Sequence, residues 1–286
     1  MLKDLLLGSH RKILGINQRN LRYIYPNNAR KHFSLVDEKI RTKEIFSQTG
    51  VPYPATRHVF SSYRELMDFE AIIAKHPNSV IKPNKGRGGN GVIILGDRVS
   101  EGFRDAHGRI ISFRKLKRQV ADILLGVYSH GMSDLALVEE RIFPHEFLYN
   151  LYEKGLSDIR IILYQNEPVM GMIRIPTKLS HGKANLHQGG VGVGLNLESG
   201  VTTHASFRGK SITSHPDSGE PLVRIQLPHI KELIGICRKV STELPMKYLG
   251  FDLTLDKKTG PMIIEVNARP GLEIQNVNQA GLLELL

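Results

Sequence analysis

The chain has 286 residues, enough for a two-lobed domain or two small ones burying roughly three quarters of their unfolded surface. Hydrophobic residues at 41% and charged residues at 23% match ordinary globular proteins and exclude disordered and fibrous classes. The 39 Lys and Arg against 28 Asp and Glu give +11, and the single cysteine, Cys237, excludes an internal disulfide or a Cys-based zinc site.

At the N-terminus, MLKDLLLGSHRK, Lys3 and Asp4 interrupt the apolar residues before an export signal can build up. No apolar run elsewhere reaches the ~20 residues of a membrane-spanning helix, so a cytoplasmic location is expected and any membrane contact is peripheral. Residues 1 to 43 hold ten cations (Lys3, Arg11, Lys12, Arg19, Arg22, Arg30, Lys31, Lys39, Arg41, Lys43) against Asp4, Asp37 and Glu38, a net of +7. Within them, LGINQRNLRYIYPNNARKHF either offers arginine forks to carboxylates or phosphates, and so an acidic partner, or is a plain basic helix and loop.

From Leu35, LVDEKIRTKEIFSQTG reads as an amphipathic helix stopping at Gly50, and VPYPATRHVF as an extended segment. Ser61 to Lys75 reads as one helix capped by Ser61 or Ser62. SVIKP and VIILG are two strands of a hairpin whose tip, NKGRGGNG, is glycine-rich. The basic stretch Arg98 to Arg118 runs into a helix over Phe113 to Leu125 and suits an acidic partner, phosphates or an anionic surface, or is a solvated helix face. ALVEERI, DIRIILYQ and PVMGMIRIP are strands, the last two joined around Asn166 and Glu167. HGKANLHQGGVGVGLNLESG is expected to be a loop. Pro228 to Leu244 is an amphipathic helix that buries Cys237, and GFDLTLD with PMIIEVNARPG closes the chain as a hairpin around Lys257 to Gly260.

That hairpin carries the sharpest constellation. Pairing its strands brings Asp252, Glu265 and Asn267 together, and hard oxygen ligands of this kind suit Mg, with Mn as a substitute. Asp252 and Glu265 stand among Phe, Leu, Ile and Val, where an unpaired carboxylate is costly. Lys82, with Gly86, Gly88, Gly89 and Gly91, offers a cation and accessible backbone N–H groups to phosphate. The loop is not a Walker motif, because the Lys precedes the glycines, nor a Rossmann turn, because a strand follows. His10, His58, His76, His107, His130 and His145 are scattered without ligand spacing; His181, His187 and His204 flank the glycine-rich segment.

In order, VIKPNKGRGGNG, ALVEERI, DIRI, KANLHQGG and IIEVNARPG resemble the ATP-grasp superfamily, and most closely the RimK-like alpha-L-glutamate ligases, from about Lys43 to the C-terminus. The resemblance implies an α+β ATP-grasp fold, two α/β lobes with antiparallel sheets gripping ATP. It divides the chain into a basic N-terminal segment at 1–40, a lid-bearing lobe at 41–142 and a catalytic lobe at 143–286. It makes Lys43 and Lys82 the phosphate lysines, the glycine loop a lid, and Glu139, Glu140, Arg141 and Ile142 the hinge that recognises adenine. Asp158 becomes a ribose or nucleotide contact, with Glu146 as the alternative because the stretch before Asp158 is long. Arg160 faces phosphate or substrate, Lys183 and Asn185 close over the phosphates, Arg269 is a substrate-side cation, and Asp252, Glu265 and Asn267 fall on the metal ligands. The region before Lys43 is shorter than the family's usual N-terminal domain, which leaves the substrate open.

The implied activity is an ATP- and Mg-dependent carboxylate-amine ligation through an acyl phosphate, adding glutamate or another amino acid to a small-molecule, peptide or protein acceptor. A phosphotransferase of the same fold and a basic nucleic-acid-binding protein are the alternatives, the latter weakened by the absence of tryptophan and of standard binding motifs. Oligomeric state is open.

Overall fold

The structure is a computed structural model describing residues 12–105 and 108–286. Lys3, Arg11, His10 and His107 of the readings above lie outside the described residues. Helix α1, Lys39–Thr49, ends at Gly50, whose φ of 62° is the left-handed conformation that terminates helices. The described residues divide into two compact units, one within 38–40 and 54–142, the other of residues 12–37, 41–53 and 143–286. The stretch 41–53, expected with the first lobe, thus clusters with the second unit.

The smaller unit contains a four-stranded antiparallel sheet in the order β1 (Thr56–Phe60), β7 (Ala136–Glu140), β2 (Ser79–Pro83), β3 (Ile93–Leu95). A second sheet of β4 (Arg98–Val99), β5 (Gly102–Arg104) and β6 (Ile110–Ser112) occupies part of the stretch read only as basic. Helix α2, Phe113–Leu124, starts where Ser112 Oγ accepts from Lys115 N at 3.3 Å, an N-cap that satisfies one orphan donor. It buries Leu116, Val120, Ile123 and Leu124, a helical stripe, against Phe60, Phe69, Ile81, Leu95 and Phe103. Each such burial contributes about 1.5–3 kcal/mol. The single helix expected over Ser61 to Lys75 is instead a 3₁₀ turn, Tyr63–Asp68, followed by a short α-helix, Phe69–Ile73. Ser62, one of the two caps expected, forms a capping box with Glu65 at its start, but buried Leu66, Phe69 and Ile73 are set by the core rather than by one regular helical face.

The larger unit is built on a seven-stranded antiparallel sheet in the order β12 (Lys210–Ile212), β11 (Thr202–Phe207), β10 (Val191–Leu195), β9 (Glu167–Ile175), β8 (Asp158–Tyr164), β13 (Tyr248–Asp256), β14 (Gly260–Asn267). Both expected hairpins are present, β8–β9 turning through Gln165 and Asn166, each with positive φ, and β13–β14. Helix α3, Ile230–Thr242, presses Leu233, Cys237 and Val240 onto the face carrying Ile159, Ile161, Phe251 and Leu253. Cys237 is fully buried and burial pushes its thiol well up, so it behaves as a small core hydrophobe.

The glycine-rich segment expected to be a loop is in part a buried strand, β10. Gly192 and Gly194 face helix α4, Glu273–Asn278: a Cβ on Gly192 would lie 2.4 Å from Val277 Cγ2, and one on Gly194 would lie 2.7 Å from Asn278 Oδ1. These glycines let a helix approach the strand; they do not loosen the chain.

The described part of the basic N-terminal segment packs on the sheet face opposite α3. Leu14 and Ile24 are buried with Ile162, Met170, Met172, Tyr248 and Val277. Asn28 is buried with all four of its bonds made: Nδ2 donates to Tyr248 O (2.7 Å) and Ala268 O (3.0 Å), and Oδ1 accepts from Lys247 N (3.0 Å) and Tyr248 N (3.1 Å). Arg19 spends its fork internally, on Asn20 Oδ1 and on Pro270 O at 2.8 Å.

Candidate active site

Period-two alternation puts Asp158 and Arg160 on the face of β8 opposite Ile159 and Ile161. Cross-strand register then aligns them with neighbours on the same face: Asp158 with Arg174 of β9, Arg160 with Asp252 of β13, and Asp252 with Glu265 of β14. Asn267, two residues on from Glu265, shares that face. Four adjacent strands therefore bring six charged or amide side chains into one row.

The row is tightly bonded. Arg160 donates Nε to Asp252 Oδ1 and Nη2 to Asp252 Oδ2, each at 2.7 Å. Arg174 donates Nε to Asp158 Oδ1 at 2.5 Å and places Nη2 3.0 Å from Asp252 Oδ2. Asn267 Nδ2 adds a 3.3 Å bond to the same Oδ2. The side chains of Asp158, Arg160, Arg174 and Asp252 are only 9–14% exposed. Burial pushes the Asp158 carboxyl up, against the pull of Arg174. Burial would also raise Asp252, but the guanidiniums of Arg160 and Arg174 outweigh it and hold that carboxyl below the usual range.

Arg174 was not singled out from the sequence. A signal was there: a cation inside the apolar strand GMIRIP, facing the DIRI strand across the hairpin, needs a buried counter-charge.

The donor set bears on a metal. Asp252 Oδ2 already receives three donors and Oδ1 one, which leaves the Asp little capacity as a ligand. Glu265 is half-buried and its side chain makes no hydrogen bond or ion pair with the described residues, and Asn267, having turned its Nδ2 to Asp252, has Oδ1 for another partner. Two guanidiniums against three carboxylates leave the row at −1, with the surplus charge on Glu265. Among the described residues no group of three or more His, Cys, Asp and Glu forms a cage. The residues fit an ion that takes few protein oxygens and completes its shell with water and phosphate, as Mg does.

The other predicted residues are placed as follows. In the larger unit, Lys43 is buried with Nζ 5.7 Å from the Tyr53 ring centroid. Glu146 is exposed at the start of a short helix, Glu146–Leu151. Lys183 is half-buried in the loop before β10, where Asn185 Oδ1 accepts from His187 N at 3.0 Å. Arg269 lies over the Phe33 ring (4.6 Å) and donates to Asp37 Oδ2 at 2.9 Å. His215, not singled out before, is buried: Nε2 meets Pro176 O at 2.9 Å while Nδ1 accepts from Asp217 N and Ser218 N.

In the smaller unit, Lys82 Nζ lies 2.6 Å from Glu139 Oε2, the lysine side chain 12% and the glutamate 3% exposed. The glycine loop is pinned at its root, where Asn84 N donates to Leu135 O and Lys85 N to the Asp134 carboxylate. Its tip, Arg87 to Asn90, is exposed, and Gly88, Gly89 and Gly91 hold positive φ. Glu140 pairs with Arg57, and Glu140 N and Arg141 N donate to Ala55 O and Asn78 O. Ile142 is the last residue of this unit.

Comparison with known proteins follows the same lines. The sequence model of the family described as sugar-transfer associated ATP-grasp matches residues 18–286. A probable alpha-L-glutamate ligase of Halorhodospira halophila is 26% identical over 249 residues, covering 87% of this chain and 61% of that protein. The chain thus spans 61% of the length of this curated relative. Among solved structures, the biotin carboxylase of Campylobacter jejuni superposes with a TM-score of 0.53 at 12% identity, over 86% of this chain and 43% of that one. The D-alanyl-alanine synthetase A of Vibrio cholerae gives 0.51 at 10% identity, over 88% and 62%. The solved structures bear on the fold, an ATP-grasp fold with antiparallel sheets, and the curated relative agrees with the RimK-like resemblance. From the match across 18–286, the chain belongs to the sugar-transfer associated ATP-grasp family.

Proposed function

We propose that this protein is an ATP- and Mg-dependent carboxylate-amine ligase acting through an acyl phosphate, with glutamate or another amino acid as one substrate and a peptide or protein as acceptor. The observation that carries the reading is the single-faced row Asp158, Arg160, Arg174, Asp252, Glu265, Asn267. Family membership supports the use of ATP, and the name of the curated relative supports ligation of an amino acid.

In this reading Glu265 and Asn267 hold the metal, with Asp252 adding what lone-pair capacity Arg160 and Arg174 leave it. Mg held there would supply charge neutralisation to the terminal phosphates of ATP. Lys43 and Lys82 attract nucleotide phosphates, the N–H groups of Gly86, Gly88, Gly89 and Gly91 approach them closely, and backbone groups of Glu139, Glu140, Arg141 and Ile142 read adenine. Because Arg174 engages Asp158, exposed Glu146 is the better ribose contact.

A substrate carboxylate oxygen attacks the γ-phosphorus and ADP leaves with the bridging electron pair. Arg160, whose Nη1 is not used on Asp252, steadies the acyl phosphate together with Lys183 and Asn185, and Arg269 holds the substrate's second anionic group. The amine nitrogen then attacks the acyl carbon, phosphate leaves, and the amine proton passes to phosphate or water. No enzyme nucleophile is needed.

The test is a phosphate-release screen with Mg-ATP, amino acids and candidate acceptors, using Glu265→Ala as the inactive control. A ligase releases ADP and phosphate only when carboxylate and amine are both present. ADP with a stable phosphorylated product and no need for amine would assign a phosphotransferase instead.

A further inference from the structure

The cross-strand row that begins at Asp158 and Arg174 does not stop there. Arg174 is registered with Gly192 of β10, Gly192 with Ser206 of β11, and Ser206 with Ser211 of β12. Direct partners share a face, so the two serines stand on the same side of the sheet as the charged row. Gly192 has no side chain, and Leu186 and Val277 fill the space over it. Beyond them opens a groove of about 840 Å³ whose lining includes Ser206, Ser211, His187, Asn276 and Gln279. That volume falls in the range of about 300–1,000 Å³ typical of small-ligand sites.

The groove differs in charge from the rest of a chain at +11. Lys12 is paired with Glu284, and the lining also holds one further cation, Arg208, and one further carboxylate, Glu273, which accepts from Asn276 Nδ2 at 3.1 Å. Two cations and two carboxylates cancel, so nothing in the lining selects for a polyanion. The rest of the lining includes hydroxyls, amides and an imidazole, with the amide donors of Asn276 and Gln279 already engaged within the groove, and the apolar side chains of Ile13, Leu186, Val277 and Ala280. Gln279 Nε2, on the residue that follows α4, is 3.3 Å from Ser211 Oγ of β12. Neutral hydroxyl and amide groups beside apolar side chains match the hydroxyls and ring faces of an uncharged sugar chain.

We propose that this groove binds an uncharged, hydroxyl-rich oligosaccharide, the glycan portion of the acceptor whose amine is ligated at the neighbouring charged row. The assignment to the acceptor rests on the ligase reading above; the binding of sugar does not.

The probes are chitohexaose and maltohexaose, with hexaglutamate and hexalysine as charged controls, titrated calorimetrically into the full chain. Nucleotide binding and Glu265→Ala are measured as a separate arm. At least one uncharged hexasaccharide is expected to bind, and Ser211→Trp, an exposed position that projects into the groove, is expected to weaken it about tenfold or more while leaving Mg-ATP binding intact. Asn276→Ala, which removes one amide without adding bulk, is expected to weaken sugar binding in the same direction. Absence of binding by both sugars overturns the proposal, as does sugar binding unchanged in both variants, or binding of a charged hexapeptide in place of either sugar. Sugar binding without any nucleotide turnover would retain the groove and remove only the ligase reading.

Discussion

Arg160 grips Asp252 with two parallel bonds, Nε to Oδ1 and Nη2 to Oδ2, each at 2.7 Å. Bidentate geometry of this kind fixes orientation as well as charge. It leaves Asp252 ionised inside the unit and turns Asn267 toward it, so that the oxygen donors of β13 and β14 have one arrangement.

Arg174 extends the same network to Asp158. Replacing it by Met leaves a buried carboxylate without its cation, and Arg174→Met is expected to cost about 3–5 kcal/mol in urea denaturation. The double variant Arg174→Met/Asp158→Asn is expected to recover a large part of that loss. If single and double variants are equally destabilised, the pair is not the source.

Glu265 has the opposite balance. Since its side chain bonds to no described residue, Glu265→Gln is expected to change stability by no more than about 0.5 kcal/mol. Mg-dependent nucleotide turnover should fall about 10- to 100-fold or further, as expected when one ligand's charge is removed. A titration of turnover against Mg should show the loss as a raised metal requirement; turnover unchanged at low Mg would refute Glu265 as a ligand.

The strand β10 makes a packing prediction. Gly192→Ala puts a methyl 2.4 Å from Val277 Cγ2 and is expected to destabilise by about 1–3 kcal/mol. Adding Val277→Ala removes the obstructing atoms, so the double variant should lose less than the sum of the two singles. Strict additivity in thermal unfolding would place the strain elsewhere.

His215 makes a pH prediction. Burial lowers its pKa, and the bonds favour the neutral ring, with Nε2 donating to Pro176 O and Nδ1 accepting two backbone N–H groups. The unfolded chain then binds the proton more readily than the folded one. Stability from this residue is present above the unfolded value of about 6.5 and is lost as pH falls through the lowered folded value. Denaturation midpoints should therefore hold steady on descending to about pH 6.5 and fall below it, and His215→Gln should flatten that acid slope. An unchanged slope in the variant would assign the loss to other groups.

Much of the architecture could be read locally. The hairpins of DIRIILYQ with PVMGMIRIP and of GFDLTLD with PMIIEVNARPG declare themselves through alternation and turn residues, and their pairing alone brings Asp252, Glu265 and Asn267 close. Helices α2 and α3 are visible as stripes at helical spacing. The glycine-rich segment misled because glycine signals both a loose loop and a tight approach, and only the arrival of α4, some 80 residues later in the chain, distinguishes them.

By itself the sequence determined which segments alternate, where they turn and which of them carry acids, because those properties depend on neighbours a few residues away. Only the tertiary structure decided that Arg174 belongs with Asp158 and Asp252, that Asn28 clips the start of β13 to the end of β14, and that Ser206 and Ser211 stand on the same sheet face as the charged row, beyond Gly192. The reason is strand order: β8 lies between β9 and β13, partners separated from each other by more than 70 residues of chain, and no local pattern records which strands will lie side by side.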